Sequence, residues 1–343
     1  MSRVPALVSI LVPAYNAAHY LPELCRSIQA QTYSDYEVLI GDDGSSDDTA
    51  TVLAPFLQDR RFRVLAWKPN RGLNQGLAML CAAMRGDYWS SPGADDALHP
   101  LFLEKRVALL EGNPQAFVAH GPPELVSESD KAREMGPINL SLPPRISPPR
   151  SLEILLQHNI INQPSAMVRS SVTKEVLPFL HWNWAYSPDW FLWILHAATG
   201  FDIMWDPRML IRCRLHANSL SYEAQKDHLR RAERRLVPLI ALRQAAHYSQ
   251  WASGCWTHLG RRLYWQWLRQ ALALRSRKGL RSEWVQLAAQ AYYGFKGKPV
   301  SFGMEVAKHA VGVLTTDLLC RRALKRQRFP ISGLAHVDDP IFR

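Results

Sequence analysis

The sequence predicts an α/β fold in which a mostly parallel sheet is covered by helices on both faces. Two observations favour this class. Apolar runs of strand length alternate with segments of helical periodicity over the first 120 residues. The hydrophobic fraction of 47% and the charged fraction of 21% are ordinary for a globular chain. A length of 343 residues allows one large domain with an extension, or two domains.

The elements can be assigned in order from these patterns. The apolar run at residues 6–12 predicts a buried first strand, and leucines at helical spacing after Tyr20 predict the first helix. Gly86, Gly112 and Gly200 are expected to close three later helices. The predicted strands are ALVSILV, YEVLIGDD, FRVLAW, DYWS, AFVAH, QPSAMV, DIMWD and RMLIRCRLH, and the predicted helices are YLPELCRSIQAQT, SSDDTATVLAPFL (capped by Ser or Asp), LNQGLAMLCAAMRG, PLFLEKRVALLEGNP and PDWFLWILHAATG.

Composition shifts divide the chain. Residues 121–150 are rich in Pro and Ser, which predicts a long loop or divider. Residues 1–221 hold 19 Lys and Arg against 22 Asp and Glu, whereas residues 222–343 hold 22 against 8. We therefore expect a near-neutral domain over 1–221 and a helical, basic C-terminal region over 222–343 with a different task.

The sequence also indicates a compartment. No run of about 18 uncharged apolar residues is present, and the N-terminal segment fits a buried strand better than a secretion signal. The five cysteines are scattered without a C-x-x-C pair, which argues against a zinc site or a disulfide framework. These features predict a cytoplasmic protein.

Chemistry-bearing residues follow three predicted strands at the point where each strand ends. In a doubly wound sheet, ligands bind past the carboxyl ends of the strands, so these residues are expected to face one cleft. They are Pro13, Ala14, Tyr15 and Asn16 after the first strand, Asp42 and Asp43 after the second, and Asp95 and Asp96 after the fourth.

A nucleoside diphosphate fits this set of residues. A base can stack on Tyr15, and Asp42 can accept hydrogen bonds from the base or the ribose. The diphosphate would be repelled by Asp95 and Asp96 unless a divalent cation lay between them. Mg²⁺ or Mn²⁺ prefers such oxygen ligands and would neutralise a leaving phosphate.

Two long segments carry a family resemblance. VSILVPAYNAAHYLPELCRSIQAQTYSDYEVLIGDDGSSDDT resembles the opening of the family 2 glycosyltransferases. NRGLNQGLAMLCAAMRGDYWSSPGADD resembles that family's N-x-G … G-[DE]-Y … D-x-D-D segment, and the resemblance covers about residues 6–221. It implies a GT-A fold, with a nucleotide-sugar half at 1–120 and an acceptor half at 150–221.

The resemblance also implies roles for single residues. Asp96 matches the metal-binding acid, whereas Gly93 stands where the family has the first acid of D-x-D-D, which leaves the donor sugar open. The implied nucleotide-sugar contacts are Pro13, Ala14, Tyr15, Asn16, Asp42, Asp43 in support, Arg71, Gly72 and Asp95.

Two matches in the second half imply further roles. YSPDWFLWILHAATGFD resembles the family's acid-bearing helix start and makes Asp189 the candidate general base, at a helix N-terminus that favours its ionised form. Attack by the acceptor opposite the departing diphosphate would invert the anomeric configuration. RCRLHANSLS resembles the R-x-H stretch, with His216 as a metal or diphosphate contact and Arg214 as a supporting charge.

Simpler interpretations stay open at this stage. Asp189 could be only a helix cap, and His216 could have a structural role. Trp182, Trp184 and Trp190 could form an acceptor platform, although tryptophans clustered in this way are more often core residues.

We expect an inverting, metal-dependent glycosyltransferase (a hexosyltransferase) that moves a sugar from a UDP-linked donor to a hydroxyl of a glycan or lipid-linked acceptor, as in surface polysaccharide biosynthesis. A sugar nucleotidyltransferase would want a Gly-rich basic phosphate loop, which PAYNAAHY lacks. A catalytically silent protein that binds carbohydrate or a membrane surface is the other alternative.

The C-terminal region has three interpretations. EVAKHAVGVLTTDLLCRRALKRQRF predicts a basic amphipathic helix, which could contact anionic lipid at the inner face of the membrane. It could instead pack on the catalytic domain or bind a partner. No nucleic-acid-binding module is recognisable, so no nucleic acid is expected.

Overall fold

The computed structural model describes residues 5–127, 142–177, 188–216, 237–246 and 248–255. Two sheets organise this part of the chain, one of eight strands and one of three. The strands are β1 (Val8–Ala14), β2 (Tyr36–Asp42), β3 (Phe62–Ala66), β4 (Tyr88–Ser90), β5 (Ala97–Leu98), β6 (Ala116–His120), β7 (Glu124–Ser127), β8 (Arg145–Ile146), β9 (Met167–Arg169), β10 (Asp202–Trp205) and β11 (Ile211–Leu215).

The large sheet has the order β3-β2-β1-β4-β9-β6-β10-β8. β1 pairs in parallel with β2 and β4, β2 with β3, and β6 with β10. β9 is antiparallel to both of its neighbours, β4 and β6, so β6 and β10 run in the same direction as β1. The carboxyl ends of β1, β2, β3, β4, β6 and β10 therefore meet at one edge of the sheet, which we call the carboxyl edge. This confirms the predicted fold class.

Helices cover both faces of the large sheet. Alternate residues of β1 point to opposite faces, so Ile10 packs with α1 and Leu11 packs with α3, which explains why the strand is mainly apolar. The helices are α1 (Leu21–Gln29), α2 (Thr49–Leu53), α3 (Leu73–Ala83), α4 (Phe102–Glu111), α5 (Arg150–Leu155), α6 (Ser170–Val176), α7 (Pro188–Ala198), α8 (Val237–Ala245) and α9 (Gln250–Cys255).

The orientation of α7 decides where its N-terminus lies. Trp193 stacks on Trp89 of β4, and His196 stacks on Phe117 of β6, so the helix packs on the sheet. Residues 199–201 then join it to β10, with a positive φ of 92° at Gly200. A helix that packs on a sheet and is joined this briefly to the next strand runs antiparallel to that strand. The N-terminus of α7 therefore lies at the carboxyl edge.

Several local predictions were wrong. Residues 121–150 are not only a divider, because β7 and β8 lie in them and pair with β11 and β10. The third helix ends at Ala83 and not at Gly86, because Met84 has an extended conformation. The predicted cap of α2 is confirmed, because the carboxylate of Asp47 accepts the N–H of Thr49, the first residue of the helix, at 3.1 Å.

The C-terminal region is only partly described. Helices α8 and α9 contribute Val237, Leu242 and Ala252 to the same apolar core as α7. The rest of residues 222–343, including the predicted basic amphipathic helix, lies outside the described residues, and the domain boundary at 221 stays a prediction. Among the described helices, none has the length and apolar character needed to cross a membrane.

Candidate active site

The acidic loop at residues 93–96 is bound to the end of β11. The His216 imidazole lies with Nε2 2.9 Å from Asp95 Oδ2, and Arg214 Nε donates to the Asp95 carbonyl at 3.4 Å. Asp96 is 4% exposed, and its carboxylate accepts hydrogen bonds from the Gly93 N–H at 2.6 Å and from the Cys213 thiol. The structure therefore brings three predicted residues together, namely Asp95, Asp96 and His216.

The electrostatics of this loop favour a cation. Burial and, next, the neighbouring Asp95 charge raise the pKa of Asp96 to about 7, against the hydrogen bonds that lower it. A positive ion beside the pair would restore the ionised form and relieve the repulsion between the two carboxylates. The donors are carboxylate oxygens and an imidazole, which suit Mg²⁺ or Mn²⁺, so the residues fit such an ion.

The protein alone does not supply a complete metal cage. Within the described ranges, no three His, Cys, Asp or Glu side chains are grouped closely enough to hold an ion. An ion at the acidic loop would need further ligands, such as water or phosphate oxygens, and open positions of this kind are typical of Mg²⁺ bound to a nucleotide.

The start of helix α1 supports the two side chains near the end of β11, His216 and Arg214, that contact the acidic loop. The Tyr20 ring stacks on His216 with ring centroids 5.2 Å apart, and the Arg214 guanidinium lies 5.6 Å from the same ring. Glu23 pairs with Arg214 at 2.7 Å. Sequence reasoning missed Tyr20 and Glu23, since their contacts are with residues far along the chain.

The ends of β1 and β2 form the second part of the site. Ala14 lies opposite Asp42 in the sheet, so the segments that follow the two strands are neighbours. Asn16 has a positive φ of 50°, and its side-chain oxygen accepts the Ser46 N–H at 2.8 Å. Asp42 is half-buried and accepts the Ser45 N–H at 2.9 Å. The two loops are thus tied together beside Asp42.

Tyr15 projects from this pair of loops. It is 54% exposed, whereas Pro13 is half-buried and Ala14 is buried beneath it. An exposed aromatic ring at the carboxyl edge is available to stack on a flat ligand. Its position agrees with the predicted base contact but does not test it.

Asp43 organises the turn at Arg71 and Gly72. Its buried carboxylate accepts hydrogen bonds from the Trp67 indole at 2.5 Å, the Arg71 N–H at 2.6 Å and the Gly72 N–H at 2.8 Å. Gly72 has a positive φ of 82°, and the Arg71 side chain is exposed. Because both oxygens of Asp43 bind protein donors, it shapes the loop, which agrees with its predicted supporting role.

Asp189 lies in the first turn of α7, at the carboxyl edge. Its Oδ2 accepts a hydrogen bond from Asn159 Nδ2 at 2.8 Å, and Asn159 is a third residue that sequence reasoning missed. The N-terminus of a helix is a favourable place for a carboxylate, and the Asn159 amide fixes one of its oxygens. It is therefore suited to accept a proton from a hydroxyl.

The predicted acceptor platform needs a correction. Trp190 is 6% exposed, packs in the apolar core and donates its indole N–H to the Leu155 carbonyl at 2.6 Å. It holds α7 against α5 and offers no face to an acceptor. Trp182 and Trp184 lie outside the described residues.

Comparison with known proteins defines the class. Residues 9–177 match the family model described as Glycosyl transferase family 2, so this part of the chain is a glycosyltransferase domain. An uncharacterized glycosyltransferase of Haemophilus influenzae is 29% identical over 223 residues, which are 63% of this chain and 67% of that protein. The match and the relative identify residues 9–177 as a family 2 glycosyltransferase domain, as the sequence motifs predicted.

Solved structures show the same fold. Staphylococcus aureus TarS 1–349 in complex with UDP has a TM-score of 0.56 at 15% identity, covering 83% of this chain and 87% of that chain. A mannosyltransferase of Pyrobaculum calidifontis in complex with GDP-Man and Mn²⁺ has a TM-score of 0.52 at 16% identity, covering 90% and 80%. These likenesses establish the GT-A fold. The chain spans about two thirds of the length of the curated relatives it matches first.

Proposed function

We propose that this protein transfers a sugar from a nucleoside diphosphate to a hydroxyl of a glycan or lipid-linked acceptor, with inversion and with Mg²⁺ or Mn²⁺. The observation that carries the proposal is the arrangement of carboxylates at the carboxyl edge. Asp42 ends β2, the acidic loop follows β4, and Asp189 lies in the first turn of α7 at the same edge. A donor site and a general base are then available on one side of the sheet.

The donor would lie over the ends of β1 and β2. The exposure of Tyr15 supports stacking on the base, and Asp42, at the end of β2, would accept hydrogen bonds from the base or ribose. The turn that Asp43 holds would bring Arg71 towards the nucleotide or its phosphates. The complexes of TarS with UDP and with UDP-GlcNAc support a UDP-linked donor, whereas the GDP-Man complex of the mannosyltransferase makes GDP the alternative.

Asp96 is the proposed metal ligand, with His216 as a second contact and Asp95 beside them. When bound there, Mg²⁺ or Mn²⁺ would neutralise the charge that develops on the departing diphosphate. The raised pKa of Asp96 and the mannosyltransferase complex with Mn²⁺ support this assignment. The Tyr20 ring and the ion pair of Glu23 with Arg214 would hold these ligands in place.

Asp189 is the proposed general base. The acceptor O–H bond breaks and its proton passes to the Asp189 carboxylate. The acceptor oxygen bonds to the anomeric carbon, and the bond from that carbon to the diphosphate breaks with its electron pair. A single displacement of this kind inverts the anomeric configuration.

The acceptor and the cellular setting are proposed more broadly. Surface polysaccharide biosynthesis is proposed from the resemblance to the family. The 22 Lys and Arg against 8 Asp and Glu in residues 222–343 support peripheral binding to anionic membrane, which vesicle co-sedimentation would test against neutral vesicles.

The test is release of the nucleoside diphosphate. The wild-type chain would be assayed with UDP-glucose, UDP-GlcNAc and GDP-mannose, each with Mn²⁺ and a panel of oligosaccharide acceptors. We expect turnover with one donor, and a loss of about 100-fold or more in Asp189→Asn with donor affinity unchanged. The control is Asp35→Asn, because Asp35 precedes β2 at the opposite edge of the sheet. Donor binding without turnover in the wild-type chain would instead indicate a silent binding protein.

A further inference from the structure

Asn159 faces the proposed general base in a fixed orientation. A carboxylate can only accept hydrogen bonds, so the atom of Asn159 that lies 2.8 Å from Asp189 Oδ2 must be the amide nitrogen. The side-chain oxygen of Asn159 is then turned away from Asp189. The chemistry of the partner thus settles which way the amide points.

This orientation has a cost. The side-chain oxygen of Asn159 is buried and has no hydrogen-bond partner in the part of the chain that the structure describes. A buried carbonyl without a partner lowers the free energy of unfolding. An apolar side chain of similar size would avoid that cost, so packing alone does not explain an amide at this position.

The segment that carries Asn159 is held at both ends. Before it, the Leu155 carbonyl accepts the indole N–H of Trp190, the residue that follows Asp189. After it, the Asn162 side chain accepts the Ser165 N–H at 3.1 Å at the start of a 3₁₀ turn, Gln163–Ser165. The Asn159 amide is therefore placed firmly relative to the first turn of α7.

We propose that Asn159 is a positioning residue that holds the Asp189 carboxylate in one rotamer for proton transfer from the acceptor. The inference rests on the proposed function, in which Asp189 is the base. A carboxylate held in this way needs no reorientation when the acceptor arrives, so the amide acts on the chemical step and not on donor binding.

The proposal predicts that activity and stability respond differently to Asn159→Ala. The variant removes the donor to Asp189 and also removes the unpartnered oxygen. We expect kcat to fall 10- to 100-fold, the KM for the donor to change less than twofold, and the melting temperature to stay unchanged or rise. Asn159→Asp keeps the shape but replaces the amide donor with an acceptor, and it should lower kcat at least as much.

Gln157→Ala is the matched control. Gln157 is an exposed amide on the same segment, and it donates to the Glu153 carbonyl at 3.1 Å. The kcat of the Gln157→Ala variant should stay within twofold of the wild type. An Asn159→Ala variant that keeps its kcat, or one that loses kcat together with its melting temperature, overturns the inference while the proposed function stands. A wild-type chain without turnover overturns the proposed function and the inference with it.

Discussion

His216 and Asp95 are 121 positions apart in the sequence, yet the imidazole Nε2 lies 2.9 Å from the Asp95 carboxylate. This contact fastens the end of β11 to the acidic loop. The two adjacent carboxylates of that loop are therefore not solvated independently, since each has partners on β11 or immediately after it. The acidic pair, β11 and the Tyr20 ring form one unit at the carboxyl edge.

The role of Asp96 can be tested by removing its charge. Asp96→Asn retains the size of the side chain but cannot be an anionic ligand. We expect kcat/KM to fall about 100-fold and the Mn²⁺ concentration for half-maximal activity to rise at least tenfold. The measurement is a Mn²⁺ titration of nucleoside diphosphate release after removal of bound metal by EDTA. A Mn²⁺ dependence equal to that of Asp35→Asn would contradict the assignment.

Gly93 should not tolerate a side chain. A Cβ at this position would lie 2.5 Å from Asp95 Oδ1 and 3.0 Å from Asp96 Oδ2, so the carboxylate of Asp95 would have to move away from His216. Gly93→Ala is expected to weaken Mn²⁺ and donor binding about tenfold, as measured by calorimetric titration. Gly254→Ala is the control, because no atom of the described residues lies within 4 Å of a Cβ there. Equal affinities in the two variants would show that the acidic loop adapts freely.

Asp43 should matter for both stability and donor binding. Asp43→Ala leaves the Trp67 indole and the backbone N–H groups of Arg71 and Gly72 without their acceptor. We expect the free energy of unfolding to fall by about 2–4 kcal/mol, because several donors lose a charged partner at once. Urea unfolding measures the first effect, and a titration with UDP should show weaker binding. Unchanged UDP affinity in a folded variant would mean that this turn does not contact the donor.

The buried histidines predict how stability depends on pH. Burial lowers the pKa of His196 to about 4 and that of His120 to about 3, below the usual value of about 6.5 in an unfolded chain. Each histidine therefore binds fewer protons in the folded state than in the unfolded state at pH values between its folded pKa and about 6.5. Above about pH 6.5 these histidines do not lower the free energy of unfolding. Below that pH the free energy of unfolding falls with acidification, by up to about 1.4 kcal/mol per pH unit for each histidine.

His196→Gln tests this pH dependence directly. His196 contacts the Thr173 hydroxyl at 2.9 Å and the Leu192 carbonyl at 2.7 Å, and an amide can make similar bonds without titrating. The slope of the free energy of unfolding between pH 6.5 and about 4 should lose the contribution of one proton. Gln157→Ala, which replaces an exposed side chain that does not titrate, should keep the wild-type slope. A slope that His196→Gln leaves unchanged contradicts the prediction.

The sequence alone predicted the strands and helices whose residue pattern is local or repeated. β1 and β2 are mainly apolar because helices cover both faces of the sheet, and Gly200 marks the end of α7 through its positive φ. The strands β5, β7 and β8 could not be predicted, because strands of two to four residues depend on remote partners. The alternation of strands and helices predicted the parallel sheet, but not the antiparallel β9 within it.

The candidate site was predicted in the same uneven way. Asp42 and Asp96 were found because they follow strands, and Asp189 because the segment around it resembles the family motif. Tyr20 and Asn159 were missed, since their importance lies in contacts with His216 and Asp189 that no sequence pattern encodes. Trp190 was assigned to an acceptor surface because sequence composition does not distinguish an exposed aromatic ring from a core one.

The most direct test of the account is a crystal structure of the protein with UDP and Mn²⁺, using anomalous scattering to locate the ion. We expect an anomalous peak about 2.0–2.2 Å from an Asp96 carboxylate oxygen and in contact with both phosphates. The Asp189 carboxylate should face the same cleft across the space of one sugar. A peak away from the acidic loop, or an Asp189 side chain that opens onto another surface, would contradict the account.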